Sequence, residues 1–487
     1  MGKFKNILYK VFLILIFLFG IYIRTNFYIE NNVFEDDECR LALSLMNKNW
    51  WQVLLPLSPW ATTPLFTLIS KYIAEMTNYS EYALKFISYI SSVAGMFVFY
   101  KLSSEYFKRK VLVLIALFLF AVNMFQLYYA TIFKTYSLDV LIGLLLLYYL
   151  PKIDILKFDT KKLVCTTLVL SVIPLLSLCS VFFIAAYFCI NIFYNFKNRA
   201  FWKKFLVIII PFALFMALYY FLYLAPAKIV MLNSYKHYYD DFYKKSFYEV
   251  CAYNLRTFFM PAKFILFNFL LIIVSILLII FNKNIRTKLD IYLLSSFGFL
   301  ILFSMFHFYP IIGRTGLFIL PVILLLLLKP ADAYDIKKPF FCFIFILTFL
   351  SSFVFFNPAY LYSLRYISHF YITYSPKVLI QDIYNKYDEK NDIIIVNEAS
   401  LFSFLFYREK YKMFNLKYDF VECTDNNTYL IVDYMNNLPK DKNYWFYFIK
   451  EFKKSPEAAI FMKWLQNKNI EYKKQDRDSY ILYWKQL

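Results

Sequence analysis

The sequence predicts a polytopic α-helical membrane protein that ends in a small α/β domain, and three observations carry that expectation. Of its 487 residues 61% are hydrophobic and 23% aromatic, with only 7 glycines and a mean hydropathy of +0.52, which excludes a soluble domain. Long apolar runs recur over the first 356 residues with lysine and arginine gathered in alternate loops, the pattern that bilayer topology imposes. From about Ser375 the chain changes to mixed charge with short β-like runs.

The net charge of +20 comes from residues that punctuate the apolar runs, and no nucleic-acid module is legible. The expected partner is therefore the lipid bilayer and no nucleic acid. The 7 cysteines are scattered, with no C-x-x-C and no pairing with histidine, so they spell neither a metal knuckle nor a redox motif. Most lie in apolar stretches, where cysteine acts as a small hydrophobe. Cys39, Cys251 and Cys423 fall in expected extracytoplasmic regions, and the sequence does not decide whether they pair.

The N-terminus carries Lys3, Lys5 and Lys10 and an unbroken apolar run from Ile7 to Ile23. Without a small-residue cleavage site, this reads as an uncleaved first helix with the N-terminus in the cytoplasm. Further runs at 83–100, 111–127, 135–150, 163–178, 180–194, 205–224, 262–281, 291–307, 312–328 and 339–356 bring the expected number of transmembrane helices to about 11. Under alternate crossing, the basic groups around Lys108, Lys157, Lys203, Arg286 and Lys337 share one side, and the short loops opposite carry only Lys134 and Arg314. The expected division is a membrane domain over 1–356, with outer loops 24–82 and 225–261, and an extracytoplasmic α/β domain over 375–487. The protein is thus expected in the cell membrane, multi-pass.

In the 24–82 loop, Leu41-Ala42-Leu43 and Leu54-Leu55-Pro56-Leu57, with Trp50, Trp51 and Trp60, read as short helices lying in the membrane interface. The 225–261 loop, rich in Tyr, Lys and Asp, is either a flap over that surface or a solvated connector. In the tail, Asp392–Val396, Thr428–Val432, Tyr444–Ile449 and Ser479–Trp484 read as strands, with helical patterns at Ser400–Tyr407 and Pro456–Gln466.

Four stretches carry residues that can do chemistry. Glu35-Asp36-Asp37-Glu38-Cys39-Arg40 packs four carboxylates beside an apolar span, where charge of one sign needs a cation or a proton to offset it. A partly desolvated carboxylate there can serve as a general base. Asp37 and Arg40, three apart, share one face of a helix, so one can act as base while the other holds an anion. The plainer alternative is a solvated loop ending a membrane helix. Ala61-Thr62-Thr63-Pro64-Leu65 is a helix start with proline in its favoured place.

Polar residues re-enter an apolar setting in the third stretch, Tyr128 to Asp139. Lys134 suits a phosphate, with snorkelling to the interface as its alternative; Tyr136 lies beside it, and Asp139 sits deeper in the run. In the fourth, Tyr309-Pro310-Ile311-Ile312-Gly313-Arg314-Thr315-Gly316, the Arg314 fork matches a phosphate diester, again against snorkelling. His307 lies beside it, but His237, His307 and His369 form no ligand spacing. A divalent metal held by Asp, Glu and His across loops is compatible with these residues without being indicated by them.

The order of these features, with Asp37-Glu38 and Arg40 in the first outer loop, Thr63-Pro64-Leu65, Tyr129 to Asp139, then Gly313-Arg314 and a C-terminal outer domain, resembles the GT-C glycosyltransferases. Within them it looks most like the bacterial relatives of protein O-mannosyltransferases and of the lipid A aminoarabinose transferase. The likeness is strongest over 1–150, moderate near 305–330 and weak in the tail. It implies a GT-C type membrane fold and Asp37 as the base that activates the acceptor, with Asp36 as its substitute. It further implies that Arg40 and Lys134 hold the donor phosphate, that Asp139 corresponds to a second family acid, and that Arg314 corresponds to a late family arginine. Thr62-Thr63-Pro64 departs from the family's His-Pro-Pro or Lys-Pro, leaving one polar ligand unaccounted for.

The expected function is transfer of a sugar, with inversion, from a polyprenyl-phosphate-linked donor to an extracytoplasmic acceptor hydroxyl on a lipid, glycan or protein. The alternative is a polytopic transporter or lipid flippase. Against it, the chain shows no internal halves and few Gly/Pro-broken helices with charge at mid-membrane. A purely structural membrane protein is a third reading, in which the acids are incidental.

Overall fold

The structure, a computed structural model, describes residues 2–31, 33–55, 62–234, 249, 265–283, 286–306, 309, 313–333, 376–421, 433–439, 441–448, 463–467, 472–475 and 480–484. Its helices are α1 (Gly2–Glu30), α2 (Asp36–Asn47), α3 (Pro64–Met76), α4 (Glu81–Tyr106), α5 (Lys110–Ala121), α6 (Met124–Tyr129), α7 (Tyr136–Tyr149) and α8 (Thr160–Leu176). They continue with α9 (Ser180–Asn195), α10 (Arg199–Tyr219), α11 (Ala225–Ser234), α12 (Ile265–Phe281), α13 (Lys288–Met305), α14 (Leu320–Ala333), α15 (Pro376–Lys386) and α16 (Glu398–Lys410). Within the described residues the apolar runs up to 312–328 fall largely on helix, and the run 339–356 lies outside the described residues. Asn6–Glu30, Glu81–Tyr106, Arg199–Ile229 and Arg314–Ala333 are long and apolar enough to cross a membrane, and shorter apolar helices stand at Lys110–Ala121, Ser180–Asn195 and Leu270–Phe281.

Contacts divide the chain into two compact units. One comprises Met1–Tyr28, Trp50–Ser70 and Lys85–Leu361; the other comprises Ile29–Asn49, Lys71–Leu84 and Tyr362–Leu487. The second unit therefore takes two pieces of the 24–82 loop that the sequence assigns to the membrane domain.

In the first unit α8 packs on α10, α9 on α13 and α7, and α14 on α12 and α5. Its core runs through Phe99, Phe120, Leu144, Phe183, Phe318 and Leu325. Gly143 lets α9 approach α7: a Cβ there would meet the Phe183 ring at 3.0 Å. Two expectations need correction. The run 111–127 is broken at Val122-Asn123, where the Asn123 side chain accepts from the Gln126 amide and starts α6. The carbonyls left at the end of α5 go to the buried Arg24 guanidinium, which donates to Ala121 O at 2.6 Å, Phe120 O at 3.4 Å and Ser92 Oγ at 2.8 Å. The run 205–224 does not stop at 225 either, since a π turn over Tyr220–Leu224 carries α10 into α11. Pro226 has no amide hydrogen and its ring clashes with a carbonyl one turn back, which the wider π turn relieves.

The second unit is built on a five-stranded sheet, with β1 (Asp392–Asn397), β2 (Tyr418–Val421), β3 (Asn443–Phe448), β4 (Tyr472–Gln475) and β5 (Tyr480–Trp484) in the order β2-β1-β3-β5-β4. β1 is parallel to β2 and β3, whereas β3 and β4 run antiparallel to β5. Strand β1, flanked by β2 and β3, is nearly all buried, as a continuous Ile-Ile-Ile-Val run requires. Buried Asp392 at its start accepts from Trp445 Nε1, Asn443 Nδ2 and the Asp388 amide. β2, β4 and α15 were not expected from sequence; the strand expected at Thr428–Val432 lies outside the described residues.

Helix α2 belongs to this unit and packs on α16. Leu41, Ala42 and Leu45 are fully buried, so the expected interfacial helix is a core helix instead. Its apolar residues face protein because α16 presents Phe406 against Phe34, with ring centroids 5.3 Å apart, and Tyr407 Oη accepts from the Phe34 amide at 3.4 Å. The second expected interfacial helix is a single 3₁₀ turn at Gln52–Leu54 with Trp51 exposed beside it; residues 56–61 lie outside the described residues. Within the second unit, Asn78 and Tyr79 adopt the left-handed region, and the Tyr79 carbonyl accepts from Lys410 Nζ at 3.0 Å. Lys410 also pairs with Glu81 at 2.6 Å; burial pushes its ammonium below the usual lysine range, against the pull of Glu81.

Candidate active site

The sequence-predicted site residues fall in two groups, one in each unit. In the second unit the acidic cluster starts α2. Glu35 is the N-cap, and Glu38 closes a reciprocal capping box, its Oε2 accepting from the Glu35 amide at 2.8 Å. This arrangement satisfies donors that a helix N-terminus otherwise leaves open. Glu38 is buried and thus engaged in holding the helix start. Asp36 is the first residue of α2 and Asp37 the second; Asp37 is half-buried, and its carboxylate benefits from the positive end of the helix dipole. Arg40, one turn on, is half-buried with its guanidinium 4.0 Å from the centroid of the Phe402 ring on α16. Cys39 is buried, its thiol donating to Phe34 O at 3.8 Å. Cys251 and Cys423 lie outside the described residues.

In the first unit the third and fourth stretches come together around the start of α7. Lys134 sits in a tight turn, its amide on Ile132 O at 2.8 Å and its carbonyl accepting from Ser88 Oγ at 2.9 Å, and is only 7% exposed. Tyr136 opens α7 edge-on to Tyr129, with centroids 5.0 Å apart. Asp139 is 8% exposed; its Oδ1 accepts from Ser177 Oγ at 2.6 Å and its Oδ2 from Thr135 Oγ1 at 3.1 Å. A carboxylate with a hydroxyl on each oxygen is held in one orientation.

The segment that carries Arg314 is a 3₁₀ helix, Gly313–Ile319, packed against α7. Arg314 itself is half-buried. Tyr309 ties this segment to the α8–α9 break, donating to Thr315 O at 2.9 Å while Cys179 Sγ lies 3.0 Å from its hydroxyl. Ser177 and Cys179 both stand in that break, so Asp139 and the Arg314 segment are linked through one short turn. Thr63 Oγ1 also donates into it, to Leu176 O at 2.9 Å, and the Thr62 carbonyl accepts from Tyr223 Oη at 2.6 Å. His307 lies outside the described residues. Among the described residues, no group of three or more His, Cys, Asp or Glu is placed to hold a metal ion.

Sequence reasoning missed Ser177, Cys179, Arg24 and Phe402, and quoted Tyr309 without giving it a role. A signal existed for the first two: Ser177-Leu178-Cys179-Ser180 is a polar interruption between two runs, each too short to span comfortably. For Phe402 there was none, since a chain that is 23% aromatic does not mark one ring among many.

These helices, with a buried polar network at the start of α7, define a multi-pass membrane protein of mostly helical build that also carries an α/β unit. No protein-family model matches the chain, and no curated protein matches it. Two solved structures of ArnT from Cupriavidus metallidurans are similar to it. In the apo state the identity is 10% and the TM-score 0.48, over 99% of this chain and 98% of that one. Bound to undecaprenyl phosphate the identity is 10% and the TM-score 0.37, over 97% of each.

Proposed function

We propose that this protein is a GT-C type membrane glycosyltransferase that moves a sugar, with inversion, from a polyprenyl-phosphate-linked donor to an extracytoplasmic acceptor hydroxyl on a lipid, glycan or protein. The observation that carries the reading is the pair of ionisable residues, Lys134 and Asp139, each more than nine-tenths buried at the start of α7 in an apolar helical unit. Charged side chains inside a membrane protein are costly and mark function by default. The sequence resemblance to GT-C enzymes supports the assignment of roles residue by residue.

In this reading Asp37, or Asp36 in its place, removes the proton from the acceptor hydroxyl as that oxygen attacks the anomeric carbon and the sugar–phosphate bond breaks. The freed polyprenyl phosphate gains negative charge that fixed positive charge stabilises, the role that the resemblance assigns to Arg40, to Lys134 and to Arg314. Asp139 orients the start of α7. A divalent metal, compatible with the sequence, gains no ligand set among the described residues. The N-terminus is cytoplasmic and the α/β unit extracytoplasmic, so the donor comes from the bilayer and not from a nucleotide sugar.

Purified protein in nanodiscs, given a polyprenyl-phosphate sugar and cell-envelope acceptors, is expected to release polyprenyl phosphate and to label an acceptor. Asp37→Asn is expected to abolish the transfer without lowering expression. Movement of the intact lipid across the bilayer with no bond cleavage, unchanged in Asp37→Asn, would establish a flippase instead.

A further inference from the structure

Helix α16 presents one face to α2, where Tyr407 meets the Phe34 amide, Phe406 the Phe34 ring, and Phe402 lies under the Arg40 guanidinium at 4.0 Å. The first two fix the entry to α2, where the acids stand. The third acts on a charged group directly, because a planar guanidinium over an aromatic face is attracted by the ring quadrupole and loses its freedom to swing. Arg40 has a long, rotamer-rich side chain, and ordering it in advance lowers the entropy lost when an anion is bound.

We propose that Phe402, in the C-terminal α/β unit, is a positioning residue that pre-orients Arg40 for the phosphate of the lipid-linked donor. This rests on the functional reading above, in which Arg40 is a phosphate ligand. Phe402 does not touch the donor in this scheme; it sets the guanidinium plane that does. The C-terminal unit then contributes to donor recognition through a ring that reaches a residue 362 positions earlier in the chain.

The test is a double-mutant cycle on binding of a polyprenyl phosphate to the full chain in nanodiscs. Phe402→Met and Phe402→Leu both keep an apolar side chain of similar size while removing the π face. Each is expected to weaken binding about fivefold in the wild-type background, the scale of a partly buried cation–π contact. Neither is expected to change it in an Arg40→Gln background, and Phe402→Tyr, which keeps the ring, is expected to restore binding. Equal weakening in both backgrounds would make Phe402 a general packing residue and overturn the proposal. No weakening by either Phe402 change, where Arg40→Gln alone weakens binding, would overturn it and leave the functional reading intact. If Arg40→Gln binds as tightly as wild type, Arg40 is no phosphate ligand, and the role assigned to it fails together with the proposal.

Discussion

Asp139 shows how a single residue in the apolar unit is kept from being a liability. Both carboxyl oxygens are occupied, by Ser177 and Thr135, and leaving a buried polar group without its partner costs roughly 1–3 kcal/mol. Ser177→Ala is therefore expected to lower unfolding stability by about that amount, measured by thermal or denaturant melts in detergent, while Thr135→Ala, with its longer bond, costs less. Tyr407 gives a pH-dependent test in the α/β unit. Burial lifts its phenol well above the usual tyrosine range, so above a pH of about 10 the unfolded chain releases a proton that the folded unit retains. The folded form then binds more protons, and stability present below that pH is lost as pH rises, by up to about 1.4 kcal/mol per pH unit. Tyr407→Phe is expected to flatten this alkaline limb in unfolding measured from pH 8 to 11; an unchanged slope would show that Tyr407 ionises normally. At this scale, Lys134 and Asp139 were legible because a charge in an apolar run stands out. Ser177 and Phe402 were not, because their residue types are common and their partners lie 38 and 362 positions away in sequence.

Among the elements, α13 and α14 are locked by a buried ion pair. Lys329 Nζ lies 2.9 Å from Asp290 Oδ2, with the side chains 2% and 0% exposed. The same Asp290 caps α13 by accepting from the Thr287 amide and hydroxyl, and Lys329 also lies over the Tyr106 ring at 4.4 Å. Removing one partner of such a pair leaves a buried charge uncompensated, at a cost of about 3–5 kcal/mol. Lys329→Met is expected to destabilise by that amount and Lys329→Met with Asp290→Asn by clearly less, read as melting temperatures in detergent. Apolar runs placed the helices well, since length and hydropathy decide whether a segment enters a bilayer. Their ends were less legible: Asn123 interrupts one run by capping a new helix, and a π turn carries another past Pro226, both governed by backbone hydrogen bonding that hydropathy does not report.

For the whole molecule, alternate basic loops predict which segments face which side. Lys157, with its side chain 83% exposed, and exposed Asn415 allow a direct check with single cysteines. Asn415→Cys is expected to react with a membrane-impermeant maleimide on intact cells, and Lys157→Cys only after permeabilisation; the reverse pattern would invert the topology. The sequence made the two-part character legible through the change in composition near Ser375. It did not reveal that Ile29–Asn49 and Lys71–Leu84 fold with the C-terminal part, because no local pattern records a pairing between Phe34 and Tyr407, 373 residues apart. That separation bears on biosynthesis. At ribosomal speeds of about 5–20 residues per second, the strip bearing Phe34, Leu41 and Leu45 waits roughly 20–75 s for the helix that covers it. Throughout that interval, it is a greasy, unshielded target for proteases and aggregation, so a premature stop anywhere before α16 orphans the acid-bearing helix, however well the bilayer-embedded part has been inserted.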